Sequence, residues 1–387
     1  QNAGPILNNT YVGFQAGFNY HSGSDNTLIG KYAGMGAGGT AATNMISSTV
    51  VVGAATLDTS TYTFYTTVVG ATALGSFKRG NYMTVIGNAA AFNTVSGSNS
   101  VIIGGTAGQY VGRSKEATLV TMVGDGAGTY ATGSNNTFIG GNAGRGGTTS
   151  APYSSGMTNV AVGTYSLYGF TTGGGNTAVG YATLQYVTTG EKNIAIGVYA
   201  GDAMTSNSYN VAIGGDALGV ANSGEDYNVA IGNNALGYVD NSAADYNIGI
   251  GSSALAGGDA IGYSNIAIGA NAMLGNSDID YAIAIGTSAL RGTMTSAADG
   301  TIAIGATALN ALTSGTGNIA IGQNAMVVHT TGARNIAIGQ FAMDDTDAGS
   351  TSLGSNDNIF IGYDAGGGTW ADAASTQNII LQSVLIL

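Results

Sequence analysis

The chain has no cysteine and only 2 prolines among its 387 residues. Disulfides and thiolate metal sites are therefore excluded. So is a proline-rich linker, and the 66 glycines do not fall at every third place as collagen requires. Charge is scarce too: 8% of residues are charged and 44% are hydrophobic, the reverse of a disordered chain. The 9 Lys and Arg face 21 Asp and Glu, a net charge of −12. No cations cluster, so no nucleic-acid partner is expected. No run of about eighteen apolar residues occurs, so no membrane insertion is expected. The two histidines, His21 and His329, lie far apart and support no Ser-His-Asp or Cys-His arrangement. Both are expected to be solvated turn residues. The chain begins at Gln1 rather than Met, as if a leader had been removed or the numbering began inside a longer product.

What is present is a repeat. A Gly preceded by Ile or Val recurs twenty times, from Gly13 to Gly362, and ten of the nineteen intervals are 17 residues. The row includes Gly197, Gly214, Gly232, Gly322 and Gly339. Counting from that Gly, position −1 is Ile or Val and position −3 is β-branched in all twenty copies. Position −4 is Asn in thirteen, among them Asn176, Asn193, Asn210, Asn228 and Asn335. Position +3 is Ala in seventeen. NIILQS, from Asn378, is a degenerate last copy that loses the Gly.

Period-2 alternation, dense β-branching and a Gly in every copy argue for strands rather than helix. A coil of about 17 residues that buries its face only against its neighbours is a β-solenoid. The expectation is an all-β solenoid of about twenty coils, over 8–383 of a single repeat domain, 1–387. In each coil one strand ends at the Gly, a second short strand carries the Ala inward, and a polar turn leads to the next Asn. Positions −3 and −1 share a strand face, and that face is expected to be the core, with Ile196, Ile213, Ile231, Ile268, Ile321 and Ile338 inside. The Asn row is expected to form a hydrogen-bonded amide ladder.

Position −2 points the other way. It is bulky in the first eight copies (zone 8–144), as at Val85, Ile102 and Phe138. It is Ala through most of 159–343, as at Ala195, Ala212 and Ala320, and Phe360 restores bulk in the terminal cap, 358–387. Left outside, this row would be an apolar stripe, which marks an interface. It is expected to be an inter-chain face, buried by three rods around an axis or by two.

No catalytic residue, cofactor or firm metal site is expected. Asp344, Asp345 and Asp347 are a weak candidate for Ca²⁺. Asp202, Asp216, Asp226, Asp240 and Asp259 read as exposed turn-formers. The glycine-rich GMGAGG from Gly34 lacks the Lys-Ser/Thr of a phosphate loop. Tyr181, Tyr199 and Tyr263 pack between coils or chains, or stack on sugars. Three intervals reach 23 residues, giving candidate contact loops at Met35–Ser48, Arg145–Thr158 (with Arg145 and Tyr153) and Asp344–Asp357 (with Asp345).

The NxAIGxxA unit, clear in NIAIGQNAM (Asn318 to Met326) and NIAIGQFAM (Asn335 to Met343), resembles the head repeats of trimeric autotransporter adhesins. The longer form, as in NTAVGYATL (Asn176 to Leu184), resembles bacteriophage tail-fibre shafts. The resemblance covers nearly the whole chain. It implies a left-handed parallel β-roll, a homotrimer, an extracellular or virion-surface location and attachment to a cell-surface glycan or protein receptor. Within this sequence the repeats run to the end without a coiled-coil stalk, membrane anchor or self-cleaving chaperone. A self-processed fibre would be expected to end just past its shaft in this way, and so would a chain cut from a longer product. The expected function is a structural or adhesive fibre, not an enzyme. The alternatives are a carbohydrate-active β-solenoid and an ice-binding solenoid, though the Thr-rich turns vary too much in length for the latter.

Overall fold

The computed structural model describes residues 7–36, 44–57, 59–113, 117–150, 152–222, 224–240, 243–257, 262–275, 279–294, 298–344, 355–367 and 376–382. These residues form β-strands and turns with no α-helix among them. The fold is a β-solenoid whose coils stack in parallel. The chain falls into two compact units, Gln1–Lys192 and Asn193–Leu387.

In the first unit, one strand per coil runs from Thr10–Val12 and Thr27–Ile29 through Ser100–Ile103 to Val160–Val162 and Thr177–Val179. Neighbours pair in register, as Thr10 with Thr27 and Val160 with Thr177. A shorter ladder beside it joins Met45–Ser47, Tyr62–Phe64 and Arg79–Asn81. The second unit repeats the plan from Ile194–Ile196 and Val211–Ile213 to Ile359–Ile361 and Ile379–Leu381. There Ala195 lies beside Ala212 and Ile196 beside Ile213.

The Gly row explains the tight stacking. Its φ values lie between +127° and +142°, a region closed to other L-residues. Space is a second constraint: a Cβ on Gly214 would sit 2.3 Å from the Gly232 carbonyl oxygen, and one on Gly322 would sit 2.4 Å from that of Gly339. Each coil thus rests its backbone on the next.

After the Gly the expected second strand is absent. The segment is a run of turns in which positions +2 and +4 take left-handed φ, as at Asp216 (54°) and Leu218 (50°). The reason lies in hydrogen bonding. Asp216 donates its N–H to the Val198 carbonyl of the preceding coil, and Leu218 donates to Ala235 of the following one. Alternating handedness aims successive N–H groups up and down the stack, so backbone groups a strand would leave in the core are paired. The inward Ala is found where expected, with Ala217, Ala235 and Ala272 buried.

The assignment of strand faces is reversed. Ala195, Ala212, Ala320, Val85, Ile102 and Phe138 are fully buried inside their own chain, with Ala212 only 1% exposed. They form the core rather than an inter-chain face. Conversely Ile196 is 41% and Ile338 37% exposed; Ile321 is also exposed, and Ile213, Ile231 and Ile268 are half-exposed. The physical reason is parity. Position −2 shares its face with the buried Asn at −4, so both point inward and −3 and −1 must point out.

A size rule fills this thin core. In several coils a large −2 residue meets Gly at +4, as Leu28 with Gly34, Met122 with Gly128, Phe138 with Gly144 and Phe360 with Gly366, whereas Val51 and Val68 face Leu57 and Leu74. A Cβ on Gly144 would lie 2.4 Å from the Phe138 ring, and one on Gly366 would lie 2.3 Å from the Phe360 ring. Where −2 is Ala, +4 is usually Leu or Met, as in Ala212 with Leu218, Ala230 with Leu236 and Ala320 with Met326, all buried. In these coils the −2 and +4 side chains share one space, filled from one wall or the other, while further large side chains such as Phe77, Phe170 and Leu312 are buried farther along the turn.

Phe138→Ala is therefore expected to cost about 3–5 kcal/mol. Ala212→Leu alone should cost about 1–3 kcal/mol by overpacking, and adding Leu218→Gly should recover most of that loss. Urea titration of the single and double variants checks the coupling. Strictly additive losses would show that the two positions do not share one space.

Candidate self-association face and aromatic clusters

The outward face carries an aliphatic row at −1 and a β-branched row at −3, which is often Thr in the first unit and is Ile or Val throughout the second, from Ile194 to Ile359. In many coils a Tyr at −5 extends the face, since it has the same parity. Tyr65, Tyr82, Tyr209, Tyr227, Tyr246 and Tyr281 occupy that position, all exposed and all at positive φ. Tyr209, Tyr227 and Tyr246 stack nearly parallel at centroid spacings of 4.8 and 5.1 Å, and Tyr65 stacks on Tyr82 at 5.1 Å. That spacing is the strand repeat of the sheet, about 4.8 Å, so the rings pack face to face because their coils do.

The Asn row is a ladder, but mainly from side chain to backbone. Asn193 Oδ1 accepts the Asn210 N–H at 3.0 Å while Asn193 Nδ2 donates to the Asn207 carbonyl at 2.7 Å. Asn210 and Asn228 repeat the pattern toward the next coil. Asn159 Oδ1 accepts the Asn176 N–H, and Asn176 Nδ2 donates to the Gly190 carbonyl. Amide-to-amide bonds are added near the end of the chain, as from Asn335 to Asn318 at 3.1 Å and from Asn358 to Asn335 at 2.9 Å. Each buried amide replaces its lost water with protein partners, which makes its burial tolerable.

The remaining candidates are placed as follows. Tyr181, Tyr199 and Tyr263 are exposed. Tyr263 meets Tyr281 edge to face at 4.9 Å, with their hydroxyls 2.8 Å apart. The hydrogen bond to Tyr281, then burial and the nearby charges of Tyr281, Asp280 and Asp299, push the Tyr263 phenol up to about 12. His329 is not a solvated residue: it is fully buried, with Nε2 3.4 Å from both the Gly332 carbonyl and Asn335 Nδ2. It fills core space next to the Asn ladder. Asp240 is exposed. Asp226 and Asp245 have a structural role, each accepting a backbone N–H of the preceding coil at 2.7 Å.

Asp344 ends a turn, while Asp345, Asp347 and Asp259 lie outside the described residues. Among the described residues no three His, Cys, Asp or Glu gather closely enough to hold a metal ion. Asp202 and Asp216 line one open groove of about 450 Å³ with Asn233, Asn234 and Tyr238. Burial raises the Asp202 pKa, its own and the Ala203 N–H lower it, and the Asp216 charge raises it further.

The loop Arg145–Thr158 does not simply project. Ser154 and Gly156 are buried, and Tyr153 stacks on Tyr110 at 4.7 Å. Tyr110 also stacks on Tyr130 at 5.3 Å. Arg145 lies 4.7 Å from the Tyr130 ring centre and 5.2 Å from that of Tyr168, and its Nη1 donates to the Tyr168 hydroxyl at 2.9 Å. Arg113 covers Tyr110 and Tyr153 at 5.4 and 5.8 Å. This cluster was legible only in part: Tyr110 and Tyr130 each stand six residues after a row Gly, which places them in one column.

No protein-family model matches this chain, and no curated protein sequence matches it.

Replacing Tyr281 by Phe should bring the Tyr263 titration down toward the ordinary phenol value of about 10. Carbon-13 spectra of ring-labelled tyrosine, followed from neutral to alkaline pH, would resolve the shift. An unchanged Tyr263 titration would remove the hydroxyl pair as its cause.

Proposed function

We propose that this chain is a non-catalytic fibre element whose copies associate along the outward strand face. In this reading it serves as a shaft or adhesive rod at a cell or virion surface. The observation that carries it is the pair of outward aliphatic rows, continued by stacked tyrosines. Ile194, Ile196, Ile285, Ile321, Ile338 and Ile361 are each more than a third exposed, with Tyr209, Tyr227 and Tyr246 beside them. Exposed apolar stripes of this extent mark protein interfaces. Regular rows of β-branched side chains one strand spacing apart make a surface that identical copies can match.

Three copies around a common axis follow the adhesin heads and tail-fibre shafts that the repeat resembles. A symmetric assembly also answers a solubility problem, since so few charged residues protect the outer surface. The Asp202–Asp216 groove favours a second reading, hydrolysis of a polysaccharide, because two carboxylates there differ in burial. Release of reducing sugar ends by the wild type, lost in Asp202→Asn, would replace the fibre reading with that one.

Light scattering should give wild-type protein the mass of three 38.2 kDa chains. Ile196→Arg or Ile338→Arg should reduce it to a single chain with the β-sheet circular dichroism intact, because like charges would meet in a dry interface. A monomeric wild type, or full assembly in both variants, would overturn the reading.

A further inference from the structure

We infer that the Tyr110–Tyr130–Tyr153 cluster, flanked by Arg113 and Arg145, is a binding platform for a carboxylated polysaccharide. The inference deepens the attachment role proposed above by naming the ligand class.

Three observations carry it. First, the cluster concentrates rare residues: the chain has 9 Lys and Arg in all, and two of them meet at one group of stacked rings. Second, neither arginine is neutralised among the described residues. An ion pair there joins Arg334 to Asp357, and the sequence offers 21 acidic side chains. Arg113 and Arg145 rest on aromatic faces instead, where cation–π attraction holds the guanidinium plane and leaves in-plane donors for a ligand. Third, the platform is accessible and braced. Arg113 is exposed, and Tyr110, Tyr130, Tyr153, Tyr168 and Arg145 are all part-exposed. The loop that supplies Tyr153 is anchored by Ser154, which pairs with Ala131 in a β-bridge and is buried.

The ligand class follows from the chemistry. A guanidinium recognises a carboxylate through two parallel N–H donors. Tyrosine offers a flat apolar ring for the C–H face of a pyranose and a hydroxyl for its polar edge. Two cations separated by aromatic rings suit a chain that alternates acid groups with apolar sugar faces. A nucleic acid would stack on the rings as well, but its dense phosphates call for a larger cationic field than a protein of net charge −12 provides.

Immobilised polygalacturonate is the probe, with neutral dextran and single-stranded DNA beside it, and the full chain as analyte. Wild type should bind polygalacturonate in preference to both, and binding should weaken as salt rises from about 0.05 to 0.5 M. Arg113→Gln should weaken binding about tenfold, the loss of one charge-assisted pair. Arg113→Gln with Arg145→Gln should abolish it, and Tyr153→Ala should weaken it severalfold. Exposed Arg113 can be replaced without disturbing the core, so its variant keeps the test meaningful if the others misfold. No binding by wild type, equal binding of dextran, tighter binding of DNA, or full affinity in Arg113→Gln would each overturn the assignment. Assembly mass is read separately, so failure here leaves the fibre reading standing, and loss of assembly leaves this one standing.

Discussion

Backbone contact between successive coils at the Gly row is the constraint on which the rest of the structure depends. Gly214 lies so close to the Gly232 carbonyl that no side chain fits between them. This contact sets the coils at strand spacing, and every other ladder inherits it. The Ile and Val rows, the Asn row and the stacked tyrosines are regular because the backbone beneath them is. Breaking the row at one coil would therefore disturb a hydrogen-bonded strand, a buried amide and an aromatic stack together.

The core answers a different constraint, narrowness. Across the strand wall and the turn wall facing it, the −2 and +4 positions share a limited volume. Phe138 over Gly144 and Leu218 across from Ala212 are two solutions of the same volume problem. The turn wall contributes because its left-handed residues bring both +3 and +4 inward, which no strand with period-2 alternation does. Leucine at φ near +50° carries a conformational cost. Its N–H bond to the next coil and its burial offset that cost.

The solenoid itself was legible from spacing: the Gly row, the alternation before it and the Ala after it all correspond to structure. The side on which the core lies was not, because Ile196 and Ala212 are both apolar and hydrophobicity cannot rank two apolar faces. Uniformity misled. The β-branched rows persist as outward ladder partners, whereas −2 varies, in many coils together with a compensating change at +4. Two signals pointed the right way: Asn193 and Ala195 share a parity, and Gly144 pairs in size with Phe138. The folding back of Tyr153 had no comparable signal, since it depends on Tyr110 and Tyr130, a coil or more away in sequence. The buried state of His329 follows from local packing against Gly332 and Asn335 that composition does not mark.

In many coils the large and small partners of the core belong to the same coil, with contacts across coils such as Phe138 on Phe170 added to them. Gain or loss of such a coil asks comparatively little retuning of the ones beside it, provided the change is one whole repeat. The number of coils then changes only in whole steps, through gain or loss of a block of codons. A lineage building such a solenoid can add or remove coils in steps of one strand spacing while keeping the fold of each coil, and what its surface displays, unchanged.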